Sequence, residues 1–166
     1  MDKTEREILA KMWALRERLR RNPDANPIEW IIPDRLAGSQ RPLRDHPDYG
    51  GRTPLPAEAK PLVVRWVEVV RAAGIRSVIS LLEEAQHERY YGAQLGLYEG
   101  GLFGYLAATG FNVVHLPLTD YRRPSETSLE AIAEEFDRLQ KPVLIFCSAG
   151  VDRTTPVAAF LVRREH

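Results

Sequence analysis

Cys147 is the only cysteine in the sequence, and its neighbours make it a candidate for chemistry rather than packing. Gly150 and Arg153 follow it at spacings of three and six, and Thr154 comes next, within Cys147-Ser148-Ala149-Gly150-Val151-Asp152-Arg153-Thr154. The apolar run Val143 to Phe146 leads into this segment and an apolar helical stretch from Thr155 to about Glu165 leaves it, so it reads as a loop between a buried strand and a helix. Such a loop is an anion site by construction, because successive backbone N–H groups converge and the helix N-terminus adds positive partial charge. A thiol held there beside an arginine ionises early, its pKa falling from about 8.5 to roughly 3.5–7.5, so Cys147 is expected as a thiolate. Arg153 offers a planar fork that fits two oxygens of a phosphate, Gly150 lets the backbone curl around the anion, and Thr154 brings a hydroxyl close to the sulfur. A lone cysteine at a strand end is most often a small core hydrophobe; Arg153 and Gly150 argue for the other role.

The elements that must hold this loop follow from periodicity. Thr4 to Arg21 places Ile8, Leu9, Met12, Leu15 and Leu19 on one stripe, an amphipathic helix within an N-terminal extension over 1–22. Trp30 to Pro33 and Leu36 to Gly38 read as a hairpin at the sheet edge, and the five prolines of 42–61 mark a long surface loop. A helix from Leu62 to Ala73, a strand from Ile75 to Leu82, a helix from Glu83 to Tyr91 and a short helix from Leu102 to Thr109 come next. A strand from Phe111 to Leu118 and a helix capped by Ser125 and running to about Gln140 precede the strand before Cys147. This alternation predicts one α/β domain over 1–166, a sandwich with a largely parallel sheet between helices. Asp120 then sits at the C-terminal end of a neighbouring strand, where open α/β sheets place their ligand crevice. Arg122 and Arg123 beside it are either rim charges for an anionic substrate or a solvated loop.

Composition narrows the classes. The 23 Lys and Arg balance 23 Asp and Glu, so no global basic field points to nucleic acid or an anionic membrane. No apolar run approaches the roughly 18 residues of a membrane span, and Met1 to Arg6 lacks a signal-peptide core, which leaves a soluble, cytoplasmic protein as the expectation. The four histidines lack ligand spacing, so neither metal nor cofactor is expected. His115 is read as structural, while His46, His87 and His166 carry no signal.

Cys147, five residues with glycine at their centre, Arg153 and Thr154 match the signature of cysteine-dependent protein tyrosine phosphatases, and the chain most resembles the small atypical dual-specificity phosphatases. The stretches Trp30 to Gly38, Gly74 to Leu81 and Leu118 to Tyr121 with Pro124 look like that family's opening strands, first core strand and acid loop. The resemblance implies a phosphotyrosine phosphatase-like sandwich that hydrolyses phosphomonoesters through a phosphocysteine, on phosphotyrosine with phosphoserine and phosphothreonine as further options. It implies Cys147 as nucleophile, Asp120 as general acid, Thr154 beside the sulfur, and Ser148, Ala149, Gly150, Val151, Asp152 and Arg153 as the phosphate cradle. The substrate would be a phosphorylated protein or a small phosphomonoester.

The chain departs from the pattern in three places. The family usually has histidine before its cysteine, and here the residue is Phe146. Asp152 puts a carboxylate in the anion loop, as in some inositol-lipid phosphatases, but no lysine or arginine occupies 148–152 to favour a polyphosphorylated head group. The sequence ends soon after Arg153, where family members commonly add one or two helices, so the helix Thr4 to Arg21 is expected to cover the surface those would bury. Two other readings fit the loop: a catalytically weak phosphate-binding module, and a persulfide carrier.

Overall fold

In the computed structural model, residues 1–165 are described, and His166 lies outside the described residues. The first helix, α1 (Lys3–Arg21), starts where the Asp2 carboxylate accepts from the Glu5 N–H. It buries Ile8, Met12, Leu15 and Leu19, the stripe its 3.6 period defines. The hairpin β1 (Glu29–Ile32) and β2 (Leu36–Gln40) turns at Asp34, whose φ of 60° is the left-handed conformation that Asp tolerates.

The loop after β2 ends at Pro56, earlier than the expected residue 61. A single 3₁₀ turn over Ala57–Ala59 and the helix α2 (Lys60–Ala72) begin there, with Pro61 in the first helical turn, where its missing N–H is no loss. Then come β3 (Ser77–Ser80), α3 (Glu84–Tyr91), α4 (Gly101–Ala108) and β4 (Asn112–His115). The β4 strand is shorter than the expected Phe111 to Leu118, because Pro117 brings no N–H to the ladder. The chain nevertheless stays alongside β3, with Leu116 N–H donating to Ser80 O and Leu118 N–H to Leu81 O. The helix α5 (Glu126–Arg138) is capped by the Ser125 hydroxyl, β5 (Val143–Cys147) follows, and α6 (Thr154–Glu165) closes the described chain.

The five strands lie in the order β1-β2-β5-β3-β4, parallel except for β1 on the edge. β5 is therefore central, and all of its residues are buried. Its pleat sends Leu144 and Phe146 into the cluster shared with α2, α3 and α4, and Ile145 and Cys147 into the cluster shared with α1, α5 and α6. That alternation accounts for Phe146. Its ring lies in the opposite layer from the sulfur, edge-on to Trp66 at 6.2 Å, where an apolar side chain belongs.

Candidate active site

Cys147 ends β5 and Thr154 begins α6, so the loop between them lies across the positive end of a helix, at the carboxyl end of the central strand. Gly150 has φ 80°, and a Cβ built there would stand 2.9 Å from Ser39 O. Only glycine lets the loop pressed against β2 take this path. None of the backbone N–H groups from Ser148 to Arg153 donates a hydrogen bond to the protein among the described residues. They are left for an anion.

The Cys147 side chain is buried, and its sulfur accepts a hydrogen bond from Thr154 Oγ1 at 3.1 Å. Arg153 is completely buried. Its Nη1 is held by Gln86 Oε1 at 2.8 Å and by the carbonyls of Leu81 and Leu118, each at 3.3 Å. These three acceptors leave Nε and Nη2, the side-on edge of the fork, buried and without a hydrogen-bond partner. Buried donors are rarely left unmatched, and this edge suits two oxygens of a tetrahedral oxyanion. Asp120 is part-exposed, with Oδ2 3.4 Å from Arg153 Nη2, within ion-pair distance but without hydrogen-bond geometry. The loop thus carries the sulfur and the arginine fork, and the fork lies beside the Asp120 carboxylate; among the described residues no three His, Cys, Asp or Glu side chains converge as metal ligands would.

The other expected residues sort as follows. Val151 is buried and Asp152 is exposed, its carboxylate in no ion pair among the described residues. Ser148 accepts a hydrogen bond from Arg41 Nε at 3.2 Å. Arg122 is exposed, and Arg123 forms a two-bond pair with Glu5 of α1, at 2.7 and 3.2 Å. His115 bonds the carbonyl of Leu82 through Nε2 at 2.5 Å, a structural contact.

Two residues of the site have no signal in the sequence. Gln86, on the first turn of α3, joins Arg153 to Asp120, its Nε2 donating to Asp120 Oδ2 at 3.4 Å. Glu83 and Gln86 hold one another in a capping box, which fixes the amide in place. Arg41, at the end of β2, is fully buried and in no ion pair among the described residues. Its backbone N–H donates to the carbonyls of Cys147 and Ser148, its guanidinium lies 3.6 Å from the Tyr90 ring centre, and its Nη2 donates to Gly51 O.

Residues 56–166 match the family described as Tc-R-P, polymorphic toxin system, DSP-PTPase phosphatase. Among solved structures, kinase-associated phosphatase with serine at its catalytic cysteine aligns at a TM-score of 0.58 and 20% identity over 78% of this chain. The alignment spans 65% of the kinase-associated phosphatase chain. Tk-PTP in its active form aligns at a TM-score of 0.52 and 24% identity, over 86% of this chain and 77% of that one. Both likenesses concern the fold. No curated protein matches the chain. No helix among the described residues is long and apolar enough to cross a membrane.

Proposed function

The chain belongs to the DSP-PTPase phosphatases of polymorphic toxin systems, and from that premise we propose that it hydrolyses phosphomonoesters through a phosphocysteine on Cys147, with phosphotyrosine, phosphoserine and phosphothreonine of proteins as substrates. The observation that carries this reading is the Nε–Nη2 edge of Arg153, buried without a hydrogen-bond partner beside six unused loop amides. That set of donors matches the three non-bridging oxygens of a phosphoryl group and strengthens as charge builds in the transition state.

In the first step the Cys147 thiolate attacks phosphorus, the S–P bond forms, and the ester O–P bond breaks. Asp120 gives its proton to the departing oxygen. In the second step Asp120, now a carboxylate, takes a proton from a water that attacks phosphorus, and the S–P bond breaks to release inorganic phosphate. Thr154 donates to the sulfur at 3.1 Å and stabilises it as the leaving thiolate.

Hydrolysis of an aryl phosphate by wild type, Cys147→Ser and Asp120→Ala tests the reading, with thiosulfate turnover measured alongside. Cys147→Ser should be inactive yet still bind phosphate, and Asp120→Ala should lose roughly 10²–10⁴ in rate. Thiosulfate turnover without aryl phosphate hydrolysis would assign the loop to sulfur transfer, and phosphate binding without turnover would make it a binding module.

A further inference from the structure

Among the described residues four large hydrophobic side chains are exposed, and three of them, Met1, Trp13 and Tyr121, line one groove of about 450 Å³. Trp13 is 42% and Tyr121 75% exposed. Val151 and Asp152 of the phosphate loop border the same groove, so it adjoins the loop that would hold the phosphoryl group. Isolated exposed hydrophobes need no explanation, but their concentration in one concavity beside a reactive centre does.

We infer that this groove binds the polypeptide flank of a phosphoprotein substrate, taking an apolar or aromatic side chain next to the phosphorylated residue between Trp13 of α1 and Tyr121 of the Asp120 loop. The inference rests on the phosphatase reading and specifies its substrate class. Three observations select this occupant. Val151 and Asp152 belong both to the groove and to the phosphate loop, so a chain leaving a phosphorylated residue held in the loop is within reach of the groove. The charges nearly cancel: Arg123 is neutralised by Glu5, and Arg122 faces the groove together with Asp152, so a polyphosphorylated head group finds no excess of cations. Thr155, 3% exposed, lines the groove with a hydroxyl that has no hydrogen-bond partner, a polar contact of the kind a peptide backbone satisfies. Trp13 and Leu9 also lie outside the stretch that matches the family, so α1 supplies a recognition wall that the matched region does not contain.

The test compares an aryl phosphate with two phosphotyrosine peptides, one flanked by leucine and phenylalanine and one by glycine and serine. Wild type should favour the apolar-flanked peptide in kcat/KM. Trp13→Ala should lose that preference by roughly 10- to 30-fold while its aryl phosphate turnover stays unchanged, and Trp13→Phe should retain most of it. Equal kcat/KM for the two peptides, or a Trp13→Ala loss shared by the aryl phosphate, would overturn the inference. If Trp13→Ala does not fold, the flank preference of wild type and of Leu9→Gln decides the matter. A second readout does not depend on turnover: on the Cys147→Ser protein, the apolar-flanked peptide should shift the tryptophan fluorescence, adding Trp13→Phe should abolish that shift although Trp30 and Trp66 remain, and tungstate alone should not produce it. No shift with the peptide overturns the groove even if aryl phosphate is hydrolysed, and a shift without any hydrolysis supports the groove while removing the phosphatase reading.

Discussion

Gln86 accepts a hydrogen bond from Arg153 Nη1 at 2.8 Å through Oε1 and presents Nε2 to Asp120 Oδ2 at 3.4 Å, so one side-chain amide spaces the phosphate-binding group from the proposed acid. Without it, the arginine fork can rotate toward the carboxylate and tighten the existing 3.4 Å Nη2–Oδ2 approach into a hydrogen-bonded pair, taking up the donor edge the phosphoryl group needs. Gln86→Ala should therefore lower kcat/KM for an aryl phosphate by roughly 10- to 100-fold, the equivalent of a charge-assisted hydrogen bond of about 1.5–3 kcal/mol. Gln86→Glu should be slower still, because its carboxylate competes for Arg153 and repels Asp120. Steady-state kinetics on the purified variants check both.

Arg41 presents a different balance. It is a buried cation in no ion pair among the described residues, one of its nitrogens has no hydrogen-bond partner, and it grips Ser148 at 3.2 Å. A buried cation without a counter-ion carries a desolvation cost that two hydrogen bonds and the Tyr90 ring only partly offset, and an apolar side chain of similar length removes that cost. Arg41→Met should leave the unfolding midpoint unchanged or raise it, yet weaken inhibition by inorganic phosphate or tungstate roughly tenfold, because the loop loses its brace. Arg41→Lys should restore part of the affinity. A parallel loss of stability and affinity would make Arg41 a packing residue only. Thermal unfolding and inhibition constants together separate the two.

The cysteine loop was legible because its parts are contiguous: the sulfur, the glycine and the arginine fall within one strand-to-helix turn, and Gly150 could be singled out from its spacing alone. The place of Asp120 followed from the rule that ligands sit at the carboxyl ends of parallel strands. Gln86 and Arg41 gave no signal, since they reach the loop across separations of 67 and 107 residues, which only the folded sheet brings together. The stripe of α1 was legible as amphipathic, but its polar side was not. Glu5 and Arg16 are buried because Arg123 and Asp45 pair with them, and neither partner can be chosen from periodicity. The loop expected over 42–61 ends at Pro56 instead, because the alanines at 57 and 59 extend the helical stretch upstream of Pro61.

The helix α1 packs on α6 and on the β1–β2 hairpin, with Met12 fully buried against Gly38. Met12→Ala removes a buried side chain from a close-packed layer, so it should cost about 2–5 kcal/mol in urea-induced unfolding. Removal of residues 1–21 should destabilise the rest by more. Unchanged stability in either case would mean that α1 is an appended element and not part of the core that supports the Cys147 strand.

His87 sets a pH window for stability. Its ring is buried, Nε2 lies 2.8 Å from Ser80 Oγ, the ring stacks on Phe103 at 3.9 Å, and its Nδ1 has no hydrogen-bond partner. Burial, and secondarily the nearby His115, lowers its pKa from 6.5 to about 3. The folded protein thus holds His87 neutral where the unfolded chain protonates it, so between these values the unfolded state binds the extra proton and stability rises with pH. This contribution is complete above about pH 6.5 and is lost as pH falls toward 3, with a slope of up to about 1.4 kcal/mol per pH unit. The Asp45 carboxyl, held below its ordinary 3.8 by hydrogen bonds from Arg16 and Gln40 that outweigh its burial, matters only at the acid end, so pH 6 to 5 isolates the histidine. Urea unfolding at half-unit steps from pH 7 to 4.5 should show this slope in wild type. His87→Gln keeps a hydrogen bond to Ser80 but does not titrate, so its curve should be flat down to about pH 5. An equal slope in the two proteins would assign the acid sensitivity to other groups.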